Sequence, residues 1–249
     1  MTDNKNTTEW ASYRRHDFVF ENRAATLVYP KFTAPGKPWI WRTEYFGSFS
    51  QVDLAMLEHG WYFVYINVSE LWGGKHCLEI MRRFQEHVES EYGFIELPVL
   101  LGFSRGGYSA FNYAIRYKDK VGMLYLDAPL LDFRSLAEMK NSENPADGFK
   151  RLLKRFPGIA ATAFDDVLLT PMDCTEEVAA AKIPIIIVAG DADEIVPYEE
   201  NTAIFVKRYR ELGGNIELIV KHGCKHHPHS LENPGPIADF IMKKRKYHG

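Results

Sequence analysis

The sequence predicts an α/β fold, a mostly parallel twisted sheet with helices on both faces, and three observations carry that prediction. Short apolar runs such as "WYFVYINV", "LPVLLGF", "VGMLYLDAP" and "IPIIIVAG" recur along the chain. Amphipathic stretches with helical spacing lie between them. The runs show no polar alternation, which marks strands buried on both faces.

The elements follow in order. "DFVFENRAATLVYP" has two β-rich halves broken at Asn22-Arg23, an antiparallel hairpin. After the turn-rich "TAPGKP", "WIWRTEYFG" is a third strand running into a loop. "QVDLAMLEHG" is a helix with a glycine stop, and "WYFVYINV" a buried strand. "CLEIMRRFQEHVESEYG" is a long amphipathic helix ending at Gly93, followed by strand "LPVLLGF", helix "RGGYSAFNYAIRYKD" and strand "VGMLYLDAP". From 131 to about 182 the pattern loosens around the polar "KNSENPADG", a lid-like insertion above the C-terminal edge of the sheet. Alternation resumes with "IPIIIVAG", "YEENTAIFVKRYRELGG", "NIELIVK" and a last helix through "PIADFIMKKRK". One domain over 1–249 is the expected organisation.

Bulk properties exclude several classes. With 30 basic against 33 acidic residues and a net charge of −3, nothing favours nucleic acid or an acidic membrane surface as partner. The basic tail "KKRKYHG" suits the C-terminal end of a helix dipole. Cys77, Cys174 and Cys224 are widely spaced and odd in number, fitting a reducing compartment rather than a disulfide framework. "MTDNKNTTEW" lacks the apolar core of a signal peptide, and no apolar run is long enough to span a bilayer, so a cytoplasmic location is expected.

The chemistry concentrates at predicted strand ends, where open α/β sheets place their sites. Gly102-Phe103-Ser104-Arg105-Gly106 fits G-x-S-x-G between a strand and a helix. A serine on such a turn takes a strained backbone, small neighbours let strand and helix close on it, and the helix N-terminus offers unpaired N–H groups to an oxyanion. Neither GxGxxG nor a P-loop lysine is present, which disfavours phosphate binding. "VAGDADEIVP" offers three acids, Asp191, Asp193 and Glu194, and Asp127 in "LYLDAP" is a fourth. The order serine, acid, histidine favours the downstream three.

"HGCKHHPH" leaves the last strand. Gly223 and Pro228 break any helix through it, so His222 and His226 do not pair as metal ligands at helical spacing, and no metal is expected. His222 closes the strand, His227 is pushed extended by Pro228, and His229 lies beyond it. His226 is the first choice as base and His227 the second.

"GFSRGGYSA", "GDADEIVPYEENT", "KHHPHSLENPGPIADFI" and "PGKPWIWRTEYFG" together resemble a bacterial branch of the α/β-hydrolase superfamily, from about Asp17 to the last helix. The resemblance implies a sheet of about eight strands with a small lid. It implies Ser104 as nucleophile, Asp193 as the acid ending G-x-x-D, and His226 as the base of a G-x-G-H-like turn, where Lys225 replaces the usual glycine. It also implies an oxyanion hole from backbone N–H groups: one from Arg105, the other from around Trp41 and Arg42.

The expected activity is hydrolysis of a small carboxylic ester, an acylated sugar being one candidate, through an acyl-enzyme and without cofactor. Trp39, Trp41, Trp72, Tyr108, His227 and His229 are candidate substrate contacts, and Arg42 and Arg105 candidate anion grips. A peptidase of the same fold and a non-catalytic binding protein on a hydrolase scaffold are the rival classes. The oligomeric state is not legible.

Overall fold

The computed structural model describes residues 7–141, 145–155 and 171–244. Its nine-stranded sheet has the order β1-β2-β3-β5-β4-β6-β7-β8-β9. The strands are β1 Thr7–Trp10, β2 Tyr13–Phe20, β3 Arg23–Val28, β4 Trp39–Arg42, β5 Tyr62–Ile66, β6 Val99–Phe103, β7 Met123–Asp127, β8 Ile185–Gly190 and β9 Ile216–Lys221. Strands β1, β2 and β3 run antiparallel to their neighbours, and β3 pairs antiparallel with β5; the rest are parallel. The sequence analysis missed β1. Its "TTEW" is a short, mostly exposed edge strand with no apolar pattern to find.

The two hairpins turn on Ala11-Ser12 and Glu21-Asn22, all four residues at positive φ, as tight two-residue turns require. The expected break at Asn22-Arg23 therefore sits one residue earlier, and Arg23 already begins β3.

The continuous apolar strands feed two cores because alternate residues face opposite sides. Leu100, Leu124, Leu126, Ile185 and Ile187 pack against helices α2 (Lys75–Tyr92) and α3 (Arg105–Arg116). Val99, Leu101, Met123, Tyr125 and Ile186 face the other way, toward α1 (Gln51–Glu58) and the last helix (Gly235–Lys244). Gly93 closes α2 in the left-handed conformation at φ 68, as the glycine stop predicts.

Among the described residues, the region between β7 and β8 holds the α-helices Ala137–Lys140, Pro145–Arg155 and Thr175–Ala180. The lid assignment over 131–182 lies partly outside the described residues. Within them, Phe133, Leu136 and Leu152 form a small apolar cluster with Tyr108 of α3 and Val196 of the loop after β8. Buried Asn201 fastens the start of this region, accepting from the Leu131 and Asp132 N–H groups and donating to Ser135 Oγ.

The order of β5, β4 and β6 positions the site. From β4 the chain steps outward to β5, and α2 then carries it back past β4 to β6. The loops leaving β4 and β6 therefore diverge, and a crevice opens at the C-terminal edge between them.

Candidate active site

Ser104 sits at that crevice between β6 and α3, with φ 50 and ψ −118. Such a conformation costs a non-glycine residue about 1–3 kcal/mol and must be held by its surroundings. Three hydrogen bonds hold it: Ser104 N donates to Asp127 O at 2.9 Å, and its carbonyl accepts from Gly107 N at 2.9 Å and Leu130 N at 3.0 Å. The flanking glycines are required by close approach. A Cβ on Gly102 would lie 2.6 Å from Gly107 Cα, and one on Gly107 would lie 2.6 Å from Pro129 Cβ.

The loop after β8 supplies Asp193. Its Oδ1 accepts from the Ile195 and Val196 N–H groups, both at 2.9 Å, and its Oδ2 lies 2.6 Å from His226 Nδ1. Asp193 and His226 are both buried. His226 Nε2 lies 3.0 Å from Ser104 Oγ. Serine, imidazole and carboxylate thus form one line of hydrogen bonds, with the carboxylate oriented toward the imidazole by two backbone N–H groups. Gly190 permits the arrangement, because a Cβ there would meet Cys224 O at 2.3 Å, where the acid and histidine loops cross.

The competing acids each have a different occupation. Asp191 pairs with exposed His222 at 2.8 Å and accepts from Gly223 N at 2.6 Å; the His222 hydrogen bond is the main cause holding its carboxyl below the usual range. Glu194 is exposed and lies 3.8 Å from Lys225 Nζ. Asp127 is fully buried and takes His229 Nδ1 at 2.7 Å, Ser230 N at 2.7 Å and Tyr125 OH at 3.1 Å.

His227 is exposed, stacked on Phe49 with ring centroids 5.7 Å apart and planes 10° apart. Desolvation, then the neighbouring imidazoles of His229 and His226, push its pKa down, so it stays neutral to lower pH than a free histidine. A cavity of about 230 Å³ opens beside Ser104, lined also by His226, His227, His229, Tyr45 and Phe49. Tyr45 and Phe49 were not singled out from the sequence. The signal was the aromatic content of "TEYFGSF" directly after a strand end.

Several sequence-based candidates do other work. Trp39 and Trp41 have no exposed surface and stack on one another inside the core, with Trp39 Nε1 donating to Glu96 O at 2.8 Å. They were expected at substrate and are beyond its reach, because the apolar strand that carries them is buried on both faces. Arg42 is also fully buried, salt-bridged to Asp53 and lying over the Phe103 ring at 4.1 Å. It therefore grips no anion from solvent. Trp41 and Arg42 sit in β4 with β5 on one side and β6 on the other, so their N–H groups serve the sheet and not an oxyanion. Tyr108 and Trp72 belong to the apolar cluster with Phe133, Leu136 and Leu152 and are not among the described residues that line the Ser104 cavity. Arg105 Nη2 donates to buried Glu44 at 3.0 Å, and its guanidinium lies 4.4 Å over Trp72.

No protein-family model and no curated protein sequence matches the chain. Solved structures do. Pyrococcus horikoshii acylaminoacyl peptidase superposes with a TM-score of 0.68 at 16% identity, covering 99% of this chain and 43% of that one. Est1E from Butyrivibrio proteoclasticus gives 0.65 at 18%, covering 96% and 97%. Porphyromonas gingivalis dipeptidyl peptidase 4 gives 0.64 at 13%, covering 93% and 35%. The chain has the α/β-hydrolase fold. It spans less than half the length of the two peptidases and nearly all of Est1E. Among the described residues no helix is long and apolar enough to cross a membrane.

Proposed function

We propose that the protein is a serine hydrolase acting on a small carboxylic ester, with an acylated sugar as one candidate substrate. The observation that carries the reading is the line from Ser104 Oγ through His226 to Asp193, at 3.0 and 2.6 Å. His226 Nε2 takes the Ser104 proton as Oγ attacks the ester carbonyl, and Asp193 fixes the tautomer that leaves Nε2 free to accept it. The alcohol leaves with the proton from His226. Water, activated by the same imidazole, then releases the acid from the acyl-serine.

The oxyanion is held by the Arg105 N–H, which has no helical acceptor at the first position of α3. The second donor is assigned to the backbone around Tyr45. Thr43 N–H is already bonded to Leu101 O at 3.0 Å, and Tyr45 lines the Ser104 cavity. Loss of one such donor raises the barrier by roughly 3 kcal/mol. A cytoplasmic location is part of the proposal, and the three unpaired cysteines support it.

The similarity to two peptidases favours a second reading, cleavage of a peptide or acyl-peptide by the same triad. The test uses p-nitrophenyl acetate, acylated sugars and aminoacyl p-nitroanilides with wild type and Ser104→Ala. Ester turnover lost by at least about 10³-fold in Ser104→Ala supports the esterase. Turnover confined to the anilides supports the peptidase, and ester turnover equal in both proteins rejects a Ser104 mechanism.

A further inference from the structure

The histidine loop brings together a set of side chains different from the pair weighed at helical spacing. One ring nitrogen from each of His226, His227 and His229 lies within 4.8 Å of the other two. The three rings meet edge to face with centroids 4.7, 4.9 and 5.0 Å apart. His226 and His229 each have Nδ1 held by a buried carboxylate, Asp193 at 2.6 Å and Asp127 at 2.7 Å. That leaves the Nε2 atoms unclaimed by carboxylates, the one on His226 meeting Ser104 Oγ at 3.0 Å. An imidazole whose second nitrogen is held by a carboxylate is fixed in orientation and tautomer, as metal-ligating histidines are.

We propose that His226, His227 and His229 form a site for a divalent transition metal of the zinc type, and that the bound ion switches the hydrolase off. The set is all nitrogen, which suits zinc, copper or nickel and not magnesium or calcium. Two buried carboxylates behind it, Asp193 and Asp127, balance the charge of the ion. Nitrogens at 2.0–2.1 Å from a tetrahedral ion lie about 3.4 Å apart, so a pair at the 4.8 Å limit closes by at most roughly 1.4 Å. Rotation of His227, which is exposed and lines the cavity, can supply that movement for the two pairs that include it.

Inhibition follows from one electron pair. The Nε2 lone pair of His226 either accepts the Ser104 proton or binds the ion, and it cannot do both. This consequence rests on the serine-hydrolase reading; the metal site itself does not.

The experiment is calorimetric titration of the full chain with zinc chloride, with cobalt binding followed by visible absorption as a report of nitrogen ligation. Wild type should bind one equivalent at the loop. His227→Ala and His227→Gln should weaken that event at least tenfold, and both should fold, since His227 is exposed. His222→Ala, at the exposed end of β9, should leave it unchanged. In parallel, a fluorophosphonate probe reports Ser104 reactivity: zinc should slow labelling with a midpoint matching the calorimetric Kd, and chelator should restore it. Equal zinc affinity in wild type and the His227 variants would overturn the site. Saturated metal with labelling unaltered, or activity that requires zinc, would overturn the inhibitory role. Absence of labelling without zinc would reject the serine reading instead, while calorimetry still decided the metal.

Discussion

Two buried carboxylate–histidine pairs stand side by side at the C-terminal edge of the sheet, and only one of them meets a nucleophile. Asp193 and His226 come from the loops after β8 and β9, and His226 reaches Ser104 Oγ at 3.0 Å. Asp127 and His229 join the end of β7 to the same histidine loop, but His229 is enclosed by Phe49 and Phe103 at centroid distances of 5.3 and 5.2 Å. Asp127 also accepts from Tyr125 and Ser230, and its carbonyl receives the Ser104 N–H. The second pair is therefore a clamp that ties the histidine loop to the strand beside the nucleophile. The same residue types serve reaction or architecture according to what lies at Nε2.

The comparison breaks most sharply at the acids. Asp193→Asn should lower kcat by about 10⁴-fold with folding stability little changed, because the His226 tautomer is then wrong for proton acceptance. Asp127→Asn should instead lower stability by about 1–3 kcal/mol in urea unfolding, with a far smaller loss of kcat. Comparable kcat losses in the two variants would show that the clamp takes part in the chemistry.

A buried ion pair elsewhere, Arg42–Asp53, tests the purely architectural extreme. Burial pushes the Asp53 carboxyl up, and the Arg42 guanidinium pulls it back. Arg42→Met should cost about 3–5 kcal/mol at pH 7, because it strands a buried carboxylate. In the variant the folded pKa of Asp53 rises further above its unfolded value. The neutral form is then favoured in the fold, so the deficit against wild type should shrink as pH falls below that folded pKa and return as pH rises through it. Urea unfolding at pH 7 and 5 measures this, and a deficit that grows on acidification would contradict it.

The smallest effect concerns the thiols. Burial pushes Cys77 up to about 12 and also raises Cys174, whereas Cys224 is partly exposed within the histidine loop. A disulfide reagent at pH 8 should therefore titrate Cys224 first in the native protein. If Asp127 clamps that loop, Asp127→Asn should speed the Cys224 reaction several-fold and leave the Cys77 rate unchanged.

What the sequence determined by itself was local. The G-x-S-x-G turn is legible because Gly102, Gly106 and Gly107 are demanded by contacts around the strand–helix crossing. The apolar runs declare doubly buried strands because both of their faces need cover. The order of strands and helices follows from the same pattern, with the polar edge strand β1 escaping it.

What the tertiary structure decided was pairing across distance. His226 lies 122 residues from Ser104, and the local signal that ranks it above His227, the restriction imposed by Pro228, does not say which imidazole reaches the serine. Likewise, Asp191, Asp193 and Glu194 share one turn and one charge, and only the positions of His222, His226 and Lys225 assign each a different partner. Trp39 and Trp41 keep a binding face open beside the commoner core stripe until the neighbouring strands and α2 are in place. Backbone constraint is encoded within a few residues. The partner of a side chain depends on which strand ends the sheet brings together, and that is a property of the folded chain.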